Sequence, residues 1–328
     1  MQIVLNTFGI TLGRDNEGFV ITTQDNRQRI PINGVSSILV AKGTLISSDA
    51  MLLAIENEIE VILADKAGNP QGRIWSPRYG SISTIRKGQL MFTRSKYALE
   101  WIKELLIAKI KNQQATILAI KVQQDDRVDV LANKAISRLE EYINKIENLD
   151  ADLLSDVVTQ LRGWEGVSAK IYFDAINLYL PEQYRFEQRS QHPALDVANV
   201  LLNYGYGILY SKIEGALIKV GIDPYIGVMH RDEYSRPVLV YDVIERYRVW
   251  IDYIVFSLLQ QQVITEEFYS IKEDGSYWLE PLGRRILIQS VNDYLGEVID
   301  GDSLRRSRET QISLYVQDLA QTFKKLSI

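Results

Sequence analysis

The sequence contains two histidines, His192 and His230, and no cysteine. A disulfide and a thiolate metal site are both excluded, so a bound ion must take oxygen and imidazole ligands. His230 lies in the polar run Met229-His230-Arg231-Asp232-Glu233, shortly before a helical stretch carrying Asp242 and Glu245. Acids at this spacing share one helix face. The same spacing also pairs them with Arg246 and Arg248 as a solvated salt-bridge face, and spacing alone does not choose. A second unusual passage, Leu161-Arg162-Gly163-Trp164-Glu165-Gly166, sets an acid between two glycines. Each glycine costs a helix about 1 kcal/mol relative to alanine, so the passage reads either as a helix break or as a special position for that carboxylate. His192, beside Pro193, reads as a local hydrogen-bonding residue.

Two carboxylates and an imidazole would suit magnesium or manganese. Both prefer hard oxygen donors, manganese also accepts nitrogen, and three protein ligands leave positions for water and phosphate. An ion so held polarises a phosphoryl oxygen, lowers the pKa of an attacking hydroxyl or water and neutralises the leaving oxygen.

Positioning such residues needs a framework. Up to about residue 77, short β-branched runs (Ile3-Val4-Leu5, Gly9 to Leu12, Phe19 to Thr22, Ser37 to Val40) alternate with turn formers at Asp15-Asn16-Glu17-Gly18 and Asp25-Asn26. That pattern predicts hairpins. Ser48-Asp49 can cap a helix through Met51 to Ile55, after which Ile59 to Leu63 returns to strand; Gly68 to Gly72 reads as a turn. Beyond about residue 91 the apolar spacing becomes three and four. It predicts helices around Tyr97 to Ile110, Ile136 to Ile146, Leu201 to Gly221, Val238 to Leu259, Pro281 to Leu295 and Leu304 to Lys325. The expected fold is α+β. A small β-rich, sandwich-like N-terminal domain with one helix (1–77) and a linker (78–90) precede a larger all-α domain (91–328).

Three ordered blocks carry a family resemblance. They are Arg162-Gly163-Trp164-Glu165-Gly166-Val167-Ser168-Ala169-Lys170-Ile171-Tyr172-Phe173; Arg185 to Arg189 with Pro193, Asp196 and Leu201-Leu202-Asn203-Tyr204-Gly205-Tyr206; and Gly227-Val228-Met229-His230 followed by Arg236 to Glu245, Arg248 and Asp252. Together they resemble the large integrase subunit of the CRISPR spacer-acquisition complex, over nearly the whole chain. The sequence departs from that pattern at Pro237, where serine is common, and at Arg246, where proline is common.

The resemblance implies a metal-dependent DNA endonuclease and integrase that inserts short duplexes into a CRISPR repeat by attack of a 3′ hydroxyl on a phosphodiester. It further implies that Glu165, His230 and Glu245 hold Mg2+ or Mn2+, with Asp242 a near neighbour. The family forms homodimers through the β domain and assembles with a small ferredoxin-like CRISPR-associated protein and double-stranded DNA. Arg231, Arg236 and Arg248 become candidates for phosphate contacts, as do Arg284-Arg285, Arg305-Arg306-Arg308 and Lys324-Lys325. The alternatives are a DNA-binding scaffold of the same complex without catalysis, or another metal-dependent phosphodiesterase.

The net charge of −5 excludes a uniformly basic coat and leaves any nucleic-acid contact to local clusters. No window reaches the ~18 uninterrupted apolar residues of a membrane span. Met1 to Asn6 lacks the basic start and apolar stretch of a secretory signal. A cytoplasmic, prokaryotic location is the expectation. Tyr204, Tyr206, Tyr210, Tyr241 and Trp250 sit at helical spacings that favour core packing over base stacking.

Overall fold

Alternating apolar residues build two sheets around one short helix in the N-terminal part. The structure, a computed structural model, describes residues 2–35, 37–65, 70–74, 82–120, 126–230, 236–301 and 304–327. It divides into two units, 1–80 and 81–328.

In the first unit the strands are β1 (Gln2–Leu5), β2 (Thr11–Arg14), β3 (Gly18–Thr22), β4 (Arg27–Pro31), β5 (Ser37–Ala41) and β6 (Leu45–Ile46), then helix α1 (Ser48–Glu56), β7 (Glu60–Ala64) and β8 (Pro70–Ile74). One sheet runs β1-β5-β7-β8, parallel except for β8; the other runs β4-β3-β2-β6. Leu12, Phe19, Ile38 and Val61 are fully buried between these layers. The Ser47 side chain caps α1 by accepting from the Ala50 amide at 3.2 Å.

The second unit is helical. It contains α2 (Ile82–Thr93), α3 (Lys96–Ile120), α4 (Asp126–Glu147), α5 (Leu154–Asn177), α6 (Val197–Lys219), α7 (Val238–Ile244), α8 (Arg248–Gln260), α9 (Pro281–Gly296) and α10 (Arg308–Leu326). Two short hairpins, β9 (Tyr269–Ile271) with β10 (Tyr277–Leu279) and β11 (Val298–Gly301) with β12 (Leu304–Ser307), interrupt what was expected to be all-α. Asp196 caps α6 through the Asn199 amide at 2.7 Å, and Gly221 takes a left-handed φ of 85° just past its end.

Several expectations are corrected. The linker assigned to 78–90 is helix α2 from Ile82 onward, anchored by buried Ile85, Gln89 and Phe92. The turn assigned to 68–72 is strand from Pro70, where β8 takes the open edge of β7; residues 66–69 lie outside the described residues. The helix expected from Leu304 begins at Arg308, because Leu304–Ser307 pairs with β11 and Ser307 caps the helix behind it. The single helix expected from Val238 to Leu259 is two. Amides of Glu245, Arg246 and Tyr247 bond back only three residues, and Asn112 Nδ2 takes the freed Arg246 carbonyl at 3.2 Å. In the other direction, α5 runs unbroken through Gly163 and Gly166.

Helix packing distinguishes the glycines. A Cβ on Gly88 of α2 would collide with the Phe323 carbonyl oxygen of α10, whereas one on Gly163 would meet nothing within 4 Å. Gly88→Ala should therefore destabilise the protein by about 1–3 kcal/mol through overpacking. Gly163→Ala should stabilise it by up to ~1 kcal/mol through helix propensity. Urea unfolding of the two variants checks both signs.

Candidate metal centre

Three helices and one loop bring the chemistry together. Helix α3 is amphipathic, but its buried stripe Leu105, Leu106, Lys109, Ile110, Gln113, Ile117 includes a lysine and a glutamine. Lys109 Nζ reaches Glu165 Oε1 of α5 and Glu245 Oε2 at the α7–α8 junction, both at short contact. Glu245 Oε1 accepts from Arg248 at 3.0 Å, and the Arg248 guanidinium stacks 4.3 Å from the centre of the Tyr206 ring. The helix break at 245–247 thus turns Glu245 inward and starts α8 with its arginine partner.

His230 follows α6 on a segment, residues 222–230, that is held from three sides. Gln89 donates to the carbonyls of Asp223 (2.8 Å) and Ile226 (3.1 Å) and accepts from the Asp223 amide. Arg162, one turn before Glu165, donates to the Met229 carbonyl. Gly227 is required by close approach, since a Cβ there would run into the His230 carbonyl oxygen. Fully buried Asp242 gathers the loop end. It accepts from the amides of Val228 (2.7 Å), Met229 (3.1 Å) and His230 (3.0 Å), and its Oδ1 lies 2.6 Å from His230 Nδ1. All four contacts use the carboxylate, so Asp242 orients the imidazole and its lone pairs are already engaged. With Nδ1 turned to Asp242, Nε2 is the nitrogen left for a cation.

The electrostatics follow from this geometry. Burial works against the Lys109 ammonium, but the Glu245 and Glu165 carboxylates outweigh it and raise its pKa. Burial pushes Glu245 upward, and Lys109 and then Arg248 overcome that and lower it. For His230 burial is likewise the largest influence and acts downward, yet the Asp242 hydrogen bond and charge, with a further contribution from Glu245, leave its pKa raised. Behind the site, Tyr172 and Tyr206 donate to buried Asp252, whose pKa burial raises. A cavity of about 390 Å³ opens beside Lys109, Glu165 and Arg248 and extends along α5 past Gly166 and Phe173.

The fit to a divalent ion can be tested on these contacts. Among the described residues, no three His, Asp or Glu side chains stand close enough together to hold an ion as placed. Two oxygen ligands do converge on one cationic point, the Lys109 ammonium, which stands in for a metal. Glu245 Oε2 is buried there against that ammonium. Hard oxygens around a cation, with an oriented imidazole near enough for Glu245 to act on it, fit magnesium or manganese.

Of the other expected site residues, Arg231 lies outside the described residues and Arg236 is exposed. Arg248 is turned to Glu245 and Tyr206 instead of outward. Arg308 is occupied by Glu297 at 2.6 Å and by the Tyr294 ring, while Lys324 and Lys325 are exposed on the last turn of α10. His192 is exposed, and Tyr206 is buried in the core. Lys109 was not foreseen. Its signal was a lysine placed within the apolar stripe of α3.

The helical unit, with two glutamates closed on one cation and a histidine held by a buried carboxylate, has clear relatives. Residues 3–293 match the family model of the CRISPR associated protein Cas1. The chain is 31% identical over 307 residues to the CRISPR-associated endonuclease Cas1 1 of Archaeoglobus fulgidus, covering 90% of this chain and 88% of the relative. The chain therefore belongs to the Cas1 family. In fold it is similar to a casposase bound to integration product (TM-score 0.80, 20% identity, 99% of this chain and 90% of the other). It is also similar to a chain of a Cas6-RT-Cas1–Cas2 complex (TM-score 0.78, 21% identity, 99% of this chain), of which it spans 35%, about a third.

Asp242 generates the prediction for this site. Asp242→Asn would set an amide NH2 or a single oxygen against donors that now share two oxygens. It should lower stability by at least about 2 kcal/mol in urea unfolding in the presence of EDTA. It should also weaken manganese binding, measured by calorimetry, about 10–100-fold, the usual cost of losing a ligand's supporting partner.

Proposed function

We propose that this chain is a metal-dependent DNA endonuclease and integrase that joins short duplexes to a CRISPR repeat by attack of a 3′ hydroxyl on a phosphodiester. The observation that carries the reading is the closure of Glu165 and Glu245, from two different helices, on one cationic point. Family membership and the match to a CRISPR-associated endonuclease support it.

In this reading Glu165, His230 and Glu245 hold one Mg2+ or Mn2+, which when bound supplies Lewis-acid activation of the phosphodiester and of the attacking hydroxyl. The chain's own residues do the rest. Arg248 donates to Glu245 Oε1 at 3.0 Å and so restrains the carboxylate. Asp242 engages Nδ1 of the imidazole and leaves Nε2 for the ion. The cavity along α5 admits substrate, and the bare backbone at Gly166 leaves its floor open for a sugar-phosphate to approach. No protein nucleophile is needed, since the substrate 3′ hydroxyl or water attacks.

The partners in this reading are duplex DNA, a second copy of the chain through the β-rich unit, and a small ferredoxin-like CRISPR-associated protein. A fold neighbour in a Cas6-RT-Cas1–Cas2 complex and another bound to an integration product support DNA and a CRISPR-associated protein as partners. The cytoplasm is the compartment in which such DNA is met, and no described helix is long and apolar enough to cross a membrane.

Glu165→Gln, His230→Ala and Glu245→Gln should each lower strand joining by about 10³-fold or more, several kcal/mol of lost transition-state stabilisation. DNA retention at low salt should persist. The check is a gel assay of strand transfer on a branched duplex with Mn2+. Undiminished joining by any one variant would contradict the assignment of that residue.

A further inference from the structure

Lys109 is the residue at this site that no part of the metal reading uses. It is buried, it projects from α3 between carboxylates of α5 and of the α7–α8 junction, and its ammonium contacts one oxygen of each. A lysine so placed does two physical things. It offsets the repulsion between buried Glu245 and partly exposed Glu165. It also sits where a divalent ion bridging the same two oxygens would sit. Ammonium and metal ion cannot share that point, because metal–oxygen bonds of roughly 2.0–2.5 Å leave no room for a cation contacting the same lone pairs. The ammonium also has somewhere to go. Lys109 lines the cavity beside Glu165, and Gln113, one helical turn further along α3, lines it too, with a buried Oε1 that has no hydrogen-bond partner among the described residues.

We propose that Lys109 is a tethered counter-cation that competes with the metal: it closes Glu165 and Glu245 on itself, and metal loading displaces its ammonium into the cavity, where an incoming DNA phosphate would meet it. The proposal rests on the assignment of Glu165 and Glu245 as metal ligands. The lysine sets the affinity of the site from within. It holds the ligands at ligand spacing before the ion arrives, and every ion that binds must first displace it. Metal and DNA are then linked, since the ion that takes the carboxylates frees a positive charge for the phosphate, and reciprocity requires that DNA tighten metal binding in turn.

The test uses the full-length chain, with Mn2+ as the probe. By calorimetry, Lys109→Met should bind Mn2+ at least ~10-fold more tightly than wild type, the size of one pKa unit of charge interaction. Lys109→Arg, which keeps the charge, should bind no more tightly than wild type. In EDTA the Met variant should melt at lower temperature, and Mn2+ should raise its melting temperature by more than it raises that of wild type. Should the Met variant not fold in EDTA, recovery of the fold on adding Mn2+ is the same result in stronger form, and failure to fold in either condition overturns the proposal.

Lysine footprinting of the wild-type chain supplies a readout independent of substitution. Reductive methylation followed by mass spectrometry should leave Lys109 unmodified in EDTA and modify it in saturating Mg2+. Mn2+ affinity in Lys109→Met equal to or weaker than wild type, or Lys109 labelling unchanged by Mg2+, would overturn the inference. Glu165→Gln separates the two levels. If that variant still binds Mn2+ as wild type does, the metal site itself is misassigned; if it does not, while Lys109→Met binds unchanged, only the role of Lys109 falls.

Discussion

Two carboxylates aimed at the same point, one buried and the other partly so, repel each other unless a cation lies between them. At an effective dielectric of about 20, unit charges about 4 Å apart interact by roughly 4 kcal/mol, a sizeable part of the 5–15 kcal/mol by which a folded domain exceeds its unfolded chain. Glu165 and Glu245 meet that condition, and the surrounding structure is arranged around it. Helix α3 brings the ammonium, α5 brings one carboxylate, and the break between α7 and α8 brings the other together with Arg248. In this structure the cation is the Lys109 ammonium; in the proposed metal reading an ion takes its place.

The same logic extends one layer outward. His230 is useful to a cation only if one ring nitrogen is fixed, and Asp242 fixes it while also taking three amides of the loop that carries it. The loop in turn is fastened to α2 through Gln89 and to α5 through Arg162. Loop, ring and glutamates are thus coupled. A change in α2, well removed in sequence from residue 230, acts on the imidazole through the carbonyls of Asp223 and Ile226. Similarly, Asp252 holds the hydroxyl of Tyr206, whose ring supports Arg248, which steadies Glu245.

What could be read from the sequence follows the strength of local signals. The β-branched runs marked real strands and the Ser48-Asp49 signal marked a real helix, although the side chain that caps it is Ser47, since both depend on neighbours in sequence. The edge strands Arg27–Pro31 and Pro70–Ile74 carry little apolar alternation and exist because a neighbouring strand offers open hydrogen bonds, a tertiary fact. The helix break at Glu245 was hidden because nothing between 244 and 248 is a helix breaker; Asn112, far away in sequence, captures the carbonyl that the break releases. The glycines beside Glu165 were legible as unusual but not in their meaning. They neither break α5 nor admit a neighbouring backbone, and at Gly166 the consequence is open cavity wall. The three blocks of family likeness pointed to the glutamates and the histidine, while Lys109, outside every block, became visible only once the helices were packed.

Anomalous diffraction from crystals grown with Mn2+ addresses the central claim most directly, because it locates the ion without reference to activity. The account predicts one manganese peak within roughly 2–2.5 Å of oxygens of Glu165 and Glu245 and of Nε2 of His230, with the Lys109 ammonium moved into the adjoining cavity. A peak elsewhere, with Lys109 still seated between the two carboxylates at full manganese occupancy, would contradict it.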